Sequence, residues 1–257
     1  MKENKGTFYF KEKYNVPFLR FKWAAESDLI DREPKYGPGF KKPSRSVVRR
    51  AKGERQSIHG TLDFTAEELT AILAQSSSWL KACILLGINA GFGAADCGRL
   101  RVQNIDFETG WYSLPRNKTG VPRRFWTWPE TRAAIQEAMQ KRGNPTGTAT
   151  SDLCFLTSHG RPVWWESGNG NRMDNVGKEF TKAVKACKSH KPGRGFYSLR
   201  RTYETVAGNS KDQIAVNFAM GHSDDSMAAV YRQGIDDQRL IDVAMFVHNW
   251  FFTAEPD

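Results

Sequence analysis

The sequence predicts a mainly helical α+β protein with a small antiparallel sheet. Apolar residues recur at helical spacing along most of the chain, but between residues 101 and 128 they alternate in short segments joined by glycine-containing turns. The composition, 39% hydrophobic and 26% charged over 257 residues, is that of a folded protein with one large domain or two modest ones. No apolar run approaches the ~18–20 residues that span a bilayer, and the first residues lack a secretory pattern, so we expect a soluble, cytoplasmic protein.

The positive charge of the chain is concentrated near its beginning. The formal net charge of the chain is +10. Residues 1–60 contain 15 Lys and Arg against 7 Asp and Glu, so this segment carries a net charge of +8. Residues 35–55, here called the basic strap, carry eight basic residues and one acid among several Gly and Pro, and we expect them to be extended. Such a segment can follow a polyanion and release its counterions, so nucleic acid is the first partner to consider, although a solvated linker has the same composition. The candidate phosphate contacts in the basic strap are Lys41, Lys42, Arg45, Arg49 and Arg50.

Helix signals flank the basic strap on both sides. Before it, apolar residues at helical spacing over residues 18–30 predict one isolated helix. After it, Thr65-Ala66-Glu67-Glu68 has the form of a capping box, and Phe64 and Leu69 are placed as a hydrophobic staple. A helix should therefore begin there, and we expect the folded domain to start near residue 62.

The next two helices are predicted from hydrophobicity and glycine positions. Residues 79–88 are almost all apolar, which indicates a helix buried on most sides. Gly91 and Gly93 then interrupt the pattern and separate this helix from a short one over residues 94–100.

Residues 101–128 predict a three-stranded antiparallel sheet. Residues 101–107 alternate like a strand, and two turns containing glycine lead into residues 111–115 and then into residues 123–128. The rest of the chain has helical patterns that begin near Pro129, Met173, Ser198, Lys211, Ser226 and Asp236.

The four cysteines, Cys83, Cys97, Cys154 and Cys187, are scattered along the chain. They form no Cys-x-x-Cys pair and no cluster with histidine. We interpret them as reduced core residues, and we expect no metal site and no cofactor.

Short motifs in the last third of the chain occur in an informative order. Arg200 stands in Leu-Arg-Arg-Thr, His222 stands in Met-Gly-His, and Tyr231 follows nine residues later. Lys118 lies upstream, in Asn-Lys-Thr-Gly, between the last two predicted strands. This order and spacing resembles that of tyrosine recombinases, the phage integrase family, over roughly residues 62–252. The resemblance implies the fold of a tyrosine-recombinase-like catalytic domain.

The resemblance also implies a reaction, namely site-specific cleavage and rejoining of DNA through a covalent 3′-phosphotyrosine. This intermediate stores the phosphodiester bond without ATP or metal, and Tyr231 is its implied nucleophile. Arg200 would clamp the phosphate, His222 would donate a further hydrogen bond, and Lys118 would protonate the departing 5′ oxygen. Tyr197 stands where the family has the histidine of His-x-Leu-Arg, and it preserves a hydrogen-bonding group.

One departure from the family pattern bears on activity. Gly93 aligns with the first catalytic arginine of the family, whereas Asp96 still matches the acid of that motif. Removal of one preorganised donor typically costs ~10²–10³ in rate, so the alternative is a recombinase-derived DNA-binding protein that cannot cleave. Arg99, Arg194 or Arg201 could supply the missing charge. A structural protein without DNA contacts is disfavoured by the basic strap.

Double-stranded DNA is the implied partner of the catalytic domain. The stretch from residue 185 to residue 201 is basic and contains no acid, and the arginine pair after the hairpin turn faces outward in one register. We expect the adjacent tryptophans at residues 164–165 to pack on the domain. The candidate phosphate contacts in this part of the chain are Arg123, Arg124, Lys191, Arg194 and Arg201.

The resemblance gives a domain plan for the chain. Residues 1–34 are interpreted as a remnant of a core-binding domain, residues 35–61 as a basic linker, and residues 62–257 as the catalytic domain. Residues 236–252 carry more apolar side chains than one helical stripe can bury. We therefore expect a protein that is mainly monomeric when free and forms a homo-oligomer on DNA through this C-terminal helix.

Overall fold

The structure, a computed structural model, describes residues 20–32, 34–35, 43–115, 120–168, 171–222 and 234–253. The chain divides into two compact units, Met1–Thr61 and Leu62–Asp257. No helix within the described ranges is long and apolar enough to cross a membrane. Five of the predicted features lie outside these ranges: Lys41, Lys42, Lys118, Tyr231 and the helix expected to begin at Ser226.

Two helices lie in the described part of the first unit. Residues 20–26 form α1, and Arg45–His59 form α2, whose N-terminus is capped by the Ser44 side chain. The extended conformation predicted for the basic strap is therefore wrong for its second half. Beyond the cap, arginine, lysine and glutamate are good helix formers, and Gly53 alone does not outweigh them. α2 buries none of its residues. The predicted phosphate contacts on its exposed surface are Arg45, Arg49 and Arg50.

The second unit begins with the predicted capping box. The Glu68 backbone N–H donates to Thr65 Oγ1 (3.2 Å), and the Thr65 backbone N–H donates to the Glu68 carboxylate (3.1 Å). This arrangement starts α3 (Ala66–Ala74), as predicted. The predicted helices that follow are also confirmed, as α4 (Ser78–Ala90) and α5 (Ala94–Gly98). Every residue in the second half of α4 is buried, which makes α4 the central element of the core.

The sheet is smaller than predicted. β1 (Trp111–Ser113) pairs antiparallel with β2 (Arg124–Trp126), but the expected first strand is interrupted by a 3₁₀ turn over Val102–Asn104. The Asn104 side-chain oxygen accepts a hydrogen bond from the Arg101 backbone N–H (3.0 Å), which favours the turn over an extended strand. Only a single bridge, from Ile105 to Tyr112, joins this segment to β1.

The middle of the chain adds two predicted helices, and it also adds a hairpin that the sequence did not predict. α6 (Pro129–Lys141) begins at the predicted proline. The hairpin of β3 (Trp164–Glu166) and β4 (Arg172–Asp174) follows, and it leads directly into α7 (Asn175–Ala186). Of the two adjacent tryptophans, the first is buried as expected, whereas Trp165 is 40% exposed.

Three more helices lie in the described part of the second unit: α8 (Tyr197–Gly208), α9 (Gln213–Met220) and α10 (Asp237–Phe252). α8 packs closely on α4, because a Cβ atom at Gly87 would lie only 2.8 Å from the Leu199 side chain. α9 contacts both α8 and β2. The C-terminal ends of α4 and α9 consequently lie near each other, beside β2.

Candidate active site

The candidate active site forms where α4 and α9 end. Both helices stop at a glycine in the left-handed conformation, Gly91 (φ 64°) and Gly221 (φ 63°). The last carbonyl groups of a helix lack partners within it, and the helix macrodipole gives them partial negative charge. Two buried arginines, Arg123 and Arg200, each bond to carbonyl groups at both helix ends.

Arg200 is the arginine of the recognised motif, and it projects from the first turns of α8. Its Nη1 donates to the Gly91 carbonyl oxygen (2.6 Å), and its Nη2 donates to the Met220 carbonyl oxygen (2.9 Å). Arg200 is only 3% exposed. The two bonds fix the plane of a guanidinium that has five N–H donors in all. Arg200 is therefore a preorganised cation, which is the arrangement that electrostatic stabilisation of a transition state requires.

Arg123 bonds to the same two helix ends. Its Nη2 donates to the Ala90 carbonyl oxygen (2.6 Å), and its Nε donates to the Ala219 carbonyl oxygen (2.8 Å). Its guanidinium also lies 4.1 Å from the centroid of the Phe92 ring. Arg123 is 2% exposed, so the outward-facing orientation predicted for it is wrong. The register of the hairpin turns this residue inward and leaves Arg124 on the other face.

A buried asparagine fixes the hairpin strand against α4. The Asn89 side-chain amide donates to the Trp126 carbonyl oxygen (3.1 Å), and its side-chain oxygen accepts from the Trp128 backbone N–H (2.9 Å). Because Asn89 stands one residue before Ala90, these bonds hold the strand that carries Arg123 at the end of α4. Asn89 was not identified from the sequence, where a single polar residue in an apolar helix gives no indication of its partner.

Asp96 and Gly93 lie beside Arg123. The Asp96 Oδ2 atom is 3.6 Å from Arg123 Nη1, and it accepts a hydrogen bond from the Gly93 backbone N–H (2.8 Å). The acid of the family motif thus contacts an arginine, but that arginine comes from the hairpin rather than from position 93. This contact joins residues that are far apart in the sequence, so the sequence did not reveal it.

The three arginines that the sequence offered as replacements lie in other environments. The Arg99 guanidinium is 4.6 Å from the centroid of a Trp164 ring. Arg194 is buried in an ion pair with Glu68, and Arg201 is exposed on α8. Among the described residues, Arg123 is the cation that the structure places against Asp96.

His222 follows the glycine that ends α9. Its backbone N–H donates to the Asn217 carbonyl oxygen (2.9 Å), and its Nδ1 atom lies 3.8 Å from the Glu204 carboxylate. Tyr197 is the first residue of α8 and is 59% exposed, with the Arg201 guanidinium 5.7 Å from its ring centroid. The structure therefore brings His222 next to the end of α9, and it places Tyr197 at the surface of α8.

A groove of about 640 Å³ opens beside the arginine pair. Asp96 lines it from the helix side, and Leu114, Gly120 and Arg123 line it from the hairpin. Trp165 of the second hairpin forms part of the opposite wall. An anion in this groove would lie next to Arg123.

Two buried tyrosines of the second unit, Tyr112 and Tyr203, are unsuited to act as nucleophiles. Burial raises the pKa of Tyr112 to about 12 and raises the pKa of Tyr203 above its ordinary range as well. Burial likewise raises the pKa of the Cys154 thiol to about 12. These groups stay protonated at neutral pH and act as core residues.

The remaining predicted phosphate contacts differ in exposure. Arg124 Nη2 donates to the Asp237 carboxylate (2.8 Å) and so links β2 to α10. Arg194 is buried against Glu68 and the Phe64 ring, which corrects its assignment to the surface. Burial favours a higher pKa for the Glu68 carboxyl, but hydrogen bonds from Arg194 and from a backbone N–H lower that pKa below its ordinary value. Lys191 and Arg124 are half-buried, and Arg201 is exposed.

Among the described residues, no group of three or more His, Cys, Asp or Glu side chains is placed to hold a metal ion. Cys83, Cys97 and Cys154 are buried free thiols, and Cys187 is half-buried.

The architecture is similar to that of solved integrases and recombinases. An integrase from mycobacterium phage Brujita has a TM-score of 0.51 and 13% identity, over 97% of this chain and 78% of that chain. A lambda integrase (75–356) dimer bound to a COC′ core site has a TM-score of 0.52 and 18% identity, over 89% and 79%. The XerH site-specific recombinase bound to difH substrate has a TM-score of 0.51 and 15% identity, over 64% and 48%.

At these identities the structural likeness shows the fold, and it confirms the predicted mainly helical domain with small antiparallel sheets. No curated protein sequence matches the chain. The family model described as "Phage integrase family" matches residues 63–237, which is more than half of the chain. On this match, together with the fold, the chain belongs to the phage integrase family, the tyrosine recombinases.

Proposed function

We propose that this chain is a tyrosine-type site-specific recombinase, an integrase that cleaves and rejoins double-stranded DNA through a covalent 3′-phosphotyrosine at Tyr231. The observation that carries the proposal is the state of Arg200, which two helix-end carbonyl groups hold as a buried, fixed cation. A fixed cation in a desolvated site stabilises charge that develops on a phosphate without having to reorganise. The lambda integrase and XerH structures contain DNA, which supports DNA as the partner.

In the proposed cleavage step, the Tyr231 oxygen forms a bond to the scissile phosphorus while the bond from phosphorus to the 5′ oxygen breaks. The 3′ end of the DNA stays on the protein as a phosphotyrosine. The Tyr231 hydroxyl proton passes to solvent water, and Lys118 donates a proton to the departing 5′ oxygen and regains one from solvent. In rejoining, a 5′ hydroxyl attacks the phosphotyrosine, so the phosphodiester energy is kept and no ATP is consumed.

Arg200 and His222 are assigned to the non-bridging oxygens of the phosphate. Arg200 offers two parallel N–H groups, the geometry in which guanidinium groups bind phosphate. His222 offers one further donor, and its Nδ1 atom lies 3.8 Å from the Glu204 carboxylate. Tyr197 is retained as a candidate hydrogen-bonding group for the DNA backbone because its side chain faces solvent.

Two further parts of the chain are assigned to assembly on DNA. The exposed arginines of α2 are proposed to contact phosphates outside the cleavage site, without reading base sequence. α10 is proposed to mediate contacts between copies bound to one DNA, because Phe246 and Phe252 remain 40% and 44% exposed on it. We place this reaction in the cytoplasm.

A second candidate function is favoured by one observation. Position 93 is glycine, and the family's first catalytic arginine aligns there. A chain that lost this charge without replacement would bind DNA but would cleave it too slowly for recombination. The alternative is therefore a catalytically impaired, recombinase-derived DNA-binding protein.

Covalent trapping separates the two functions. A duplex is first selected from a randomised pool for binding to the full chain, and a nick is then placed beside each candidate scissile phosphate so that the cleaved fragment diffuses away. We expect a covalent protein–DNA complex whose DNA-linked peptide contains Tyr231. Binding without any covalent product would support the impaired protein instead.

The matched control is Tyr231→Phe, which removes only the nucleophilic oxygen. This variant should bind the selected duplex nearly as well as the unchanged protein and should form no covalent complex. Trapped complexes that persist in Tyr231→Phe would show that another residue is the nucleophile.

A further inference from the structure

Glu204 lies on the same face of α8 as Arg200, one turn further along the helix, because the two residues are four positions apart. The Arg200 guanidinium donates to the Met220 carbonyl oxygen (2.9 Å). The Glu204 carboxylate lies 3.8 Å from His222, which follows Met220 by two residues. One face of α8 therefore carries a residue assigned to the phosphate and a carboxylate that lies next to another such residue.

α9 holds the Glu204 carboxylate and the His222 backbone together. The Gln213 side-chain amide donates to Glu204 Oε1 (3.1 Å) and to the Asn217 side-chain oxygen (3.0 Å). The Asn217 carbonyl oxygen accepts a hydrogen bond from the His222 backbone N–H (2.9 Å). The second oxygen of the glutamate, Oε2, is the atom that lies 3.8 Å from His222 Nδ1. Glu204 is thus bonded through one oxygen and turned towards the histidine ring with the other.

The contact between Glu204 and His222 contributes little to stability. The two side chains are 37% and 35% exposed, and solvent weakens ion pairs of this exposure. At 3.8 Å the contact is an electrostatic attraction and not a formed hydrogen bond. A carboxylate at this distance still draws an N–H group of the ring towards itself. Its effect is therefore expected in the placement of the ring rather than in the stability of the fold.

We propose that Glu204 is a positioning residue, which turns Nδ1 of His222 towards α8 and so presents Nε2, on the opposite side of the ring, to a non-bridging oxygen of the scissile phosphate. This inference rests on the proposed recombinase function and adds to it a residue that touches neither the DNA nor the reacting atoms. The recognised motif residues do not include Glu204. The packing of α8 against α9 brings it to the histidine.

The test substitution is Glu204→Gln in the full chain. Glutamine keeps the size of the side chain and an oxygen that can accept from Gln213, but it lacks the negative charge. The matched control is Glu179→Gln on α7, because the Glu179 side chain is 40% exposed and pairs with Lys182 (2.6 Å), far along the chain from the motif residues.

The first measurement is the single-turnover rate of covalent trapping on the selected, nicked duplex, at saturating protein. Loss of an orienting partner costs a metal-ligating histidine ~10–100-fold in affinity or activity. Because solvent weakens the pair, we expect the lower end of this range for Glu204→Gln, a loss of about tenfold. Glu179→Gln should change the rate less than about twofold.

A double-mutant cycle separates positioning from damage to the fold. His222→Gln removes the imidazole but keeps a side-chain donor. If Glu204 acts through the ring, adding Glu204→Gln to His222→Gln should lower the trapping rate no further. A structural defect would lower it by the same factor in both backgrounds.

A spectroscopic readout on the free protein does not depend on cleavage. The ring nitrogen resonances of His222 are identified by their absence from the spectrum of His222→Gln. They should shift in Glu204→Gln and stay in place in Glu179→Gln, because only the first substitution removes the charge beside the ring.

The outcomes distinguish the two proposals. If the unchanged protein forms no covalent complex, the recombinase function fails and this inference fails with it. If the unchanged protein is trapped but Glu204→Gln is trapped as fast, or loses the same factor in the His222→Gln background, only the role of Glu204 is overturned. Ring resonances that stay in place in Glu204→Gln would overturn that role whatever the rates.

Discussion

Truncation of the chain after Gly234 is expected to unfold the second unit rather than merely remove a surface helix. The change deletes α10, whose buried face contains Leu240, Val243, Val247 and Phe251. α10 is also fixed to the rest of the unit by polar contacts. Trp128 Nε1 donates to the Ala244 carbonyl oxygen (2.8 Å), and two ion pairs join α10 to β2 and to the start of α9.

The magnitude follows from these buried side chains. Each large apolar side chain contributes about 1.5–3 kcal/mol when it is fully buried, so the four together contribute about 6–12 kcal/mol. The free energy of unfolding of a typical domain is only about 5–15 kcal/mol. The loss is therefore comparable with the whole stability of the unit.

Urea denaturation, followed by far-UV circular dichroism, measures this effect on the free protein. A truncation after Thr253, which leaves α10 whole, is the control and should keep the denaturation midpoint of the full chain. Two neighbouring substitutions refine the test. Val247→Ala, at a fully buried position, should cost about 2 kcal/mol or more, whereas Phe246→Ser, at a position that is 40% exposed, should cost less.

Retention of a cooperative transition near the midpoint of the full chain, after truncation at Gly234, would refute this reasoning. It would mean that α10 contributes little to its own unit. The proposed assembly on DNA is tested separately with Phe246→Ser, because this variant should stay folded. A lower number of copies on the selected duplex, determined by native mass spectrometry, is expected if α10 mediates contacts between copies.

Three further predictions concern charge. Deletion of residues 1–60 should weaken binding to unrelated duplexes about equally. It should also lower the slope of log binding constant against log salt concentration by roughly 0.9 for each lost phosphate contact. An unchanged slope in a salt titration would show that these residues are an inert linker. Arg200→Ala should slow covalent trapping by about 10² or more and weaken DNA binding more mildly, and equal losses in both would contradict a role in the transition state. Hydrogen bonds from Arg194 to Glu68 and from Arg239 to Asp212 lower the pKa values of these two carboxyl groups in the folded protein. The stability that the two pairs provide is therefore complete above the ordinary pKa values of 4.5 and 3.8, and it is lost as the pH falls through the lowered pKa values. Glu68→Gln should therefore reduce the acid dependence of the urea midpoint, and an unchanged dependence would show that this pair does not contribute.

Sequence reasoning succeeded where the structure-forming signal is local. The capping box at Thr65 places both of its hydrogen-bonding partners within one helical turn, so the start of α3 could be read directly. The continuous apolar run in α4 leaves no polar face for solvent, which identified the central helix. The motif residues Arg200 and His222 could be found because their order along the chain is itself the signal.

The errors arose where composition or alternation indicated one conformation and a specific capping or pairing contact produced another. The predicted first strand has a suitable alternation, but Asn104 closes a 3₁₀ turn within it. The second half of the basic strap has the composition of an extended segment, yet Ser44 caps a helix there. The hairpin at Trp164 was missed because its two short strands stabilise each other and neither is distinctive alone.

The sequence by itself determined the helical core, the family and the residues named by its motifs, because capping, hydrophobic periodicity and motif order depend on neighbours along the chain. Only the tertiary structure decided which of the two adjacent arginines, Arg123 or Arg124, enters the site. Successive residues in a strand point to opposite faces, and a shift of one residue in register would exchange them. The register is fixed by Asn89 on α4, which is distant in the sequence and bonds to the strand across the core. A contact of that kind exists only once the chain has folded.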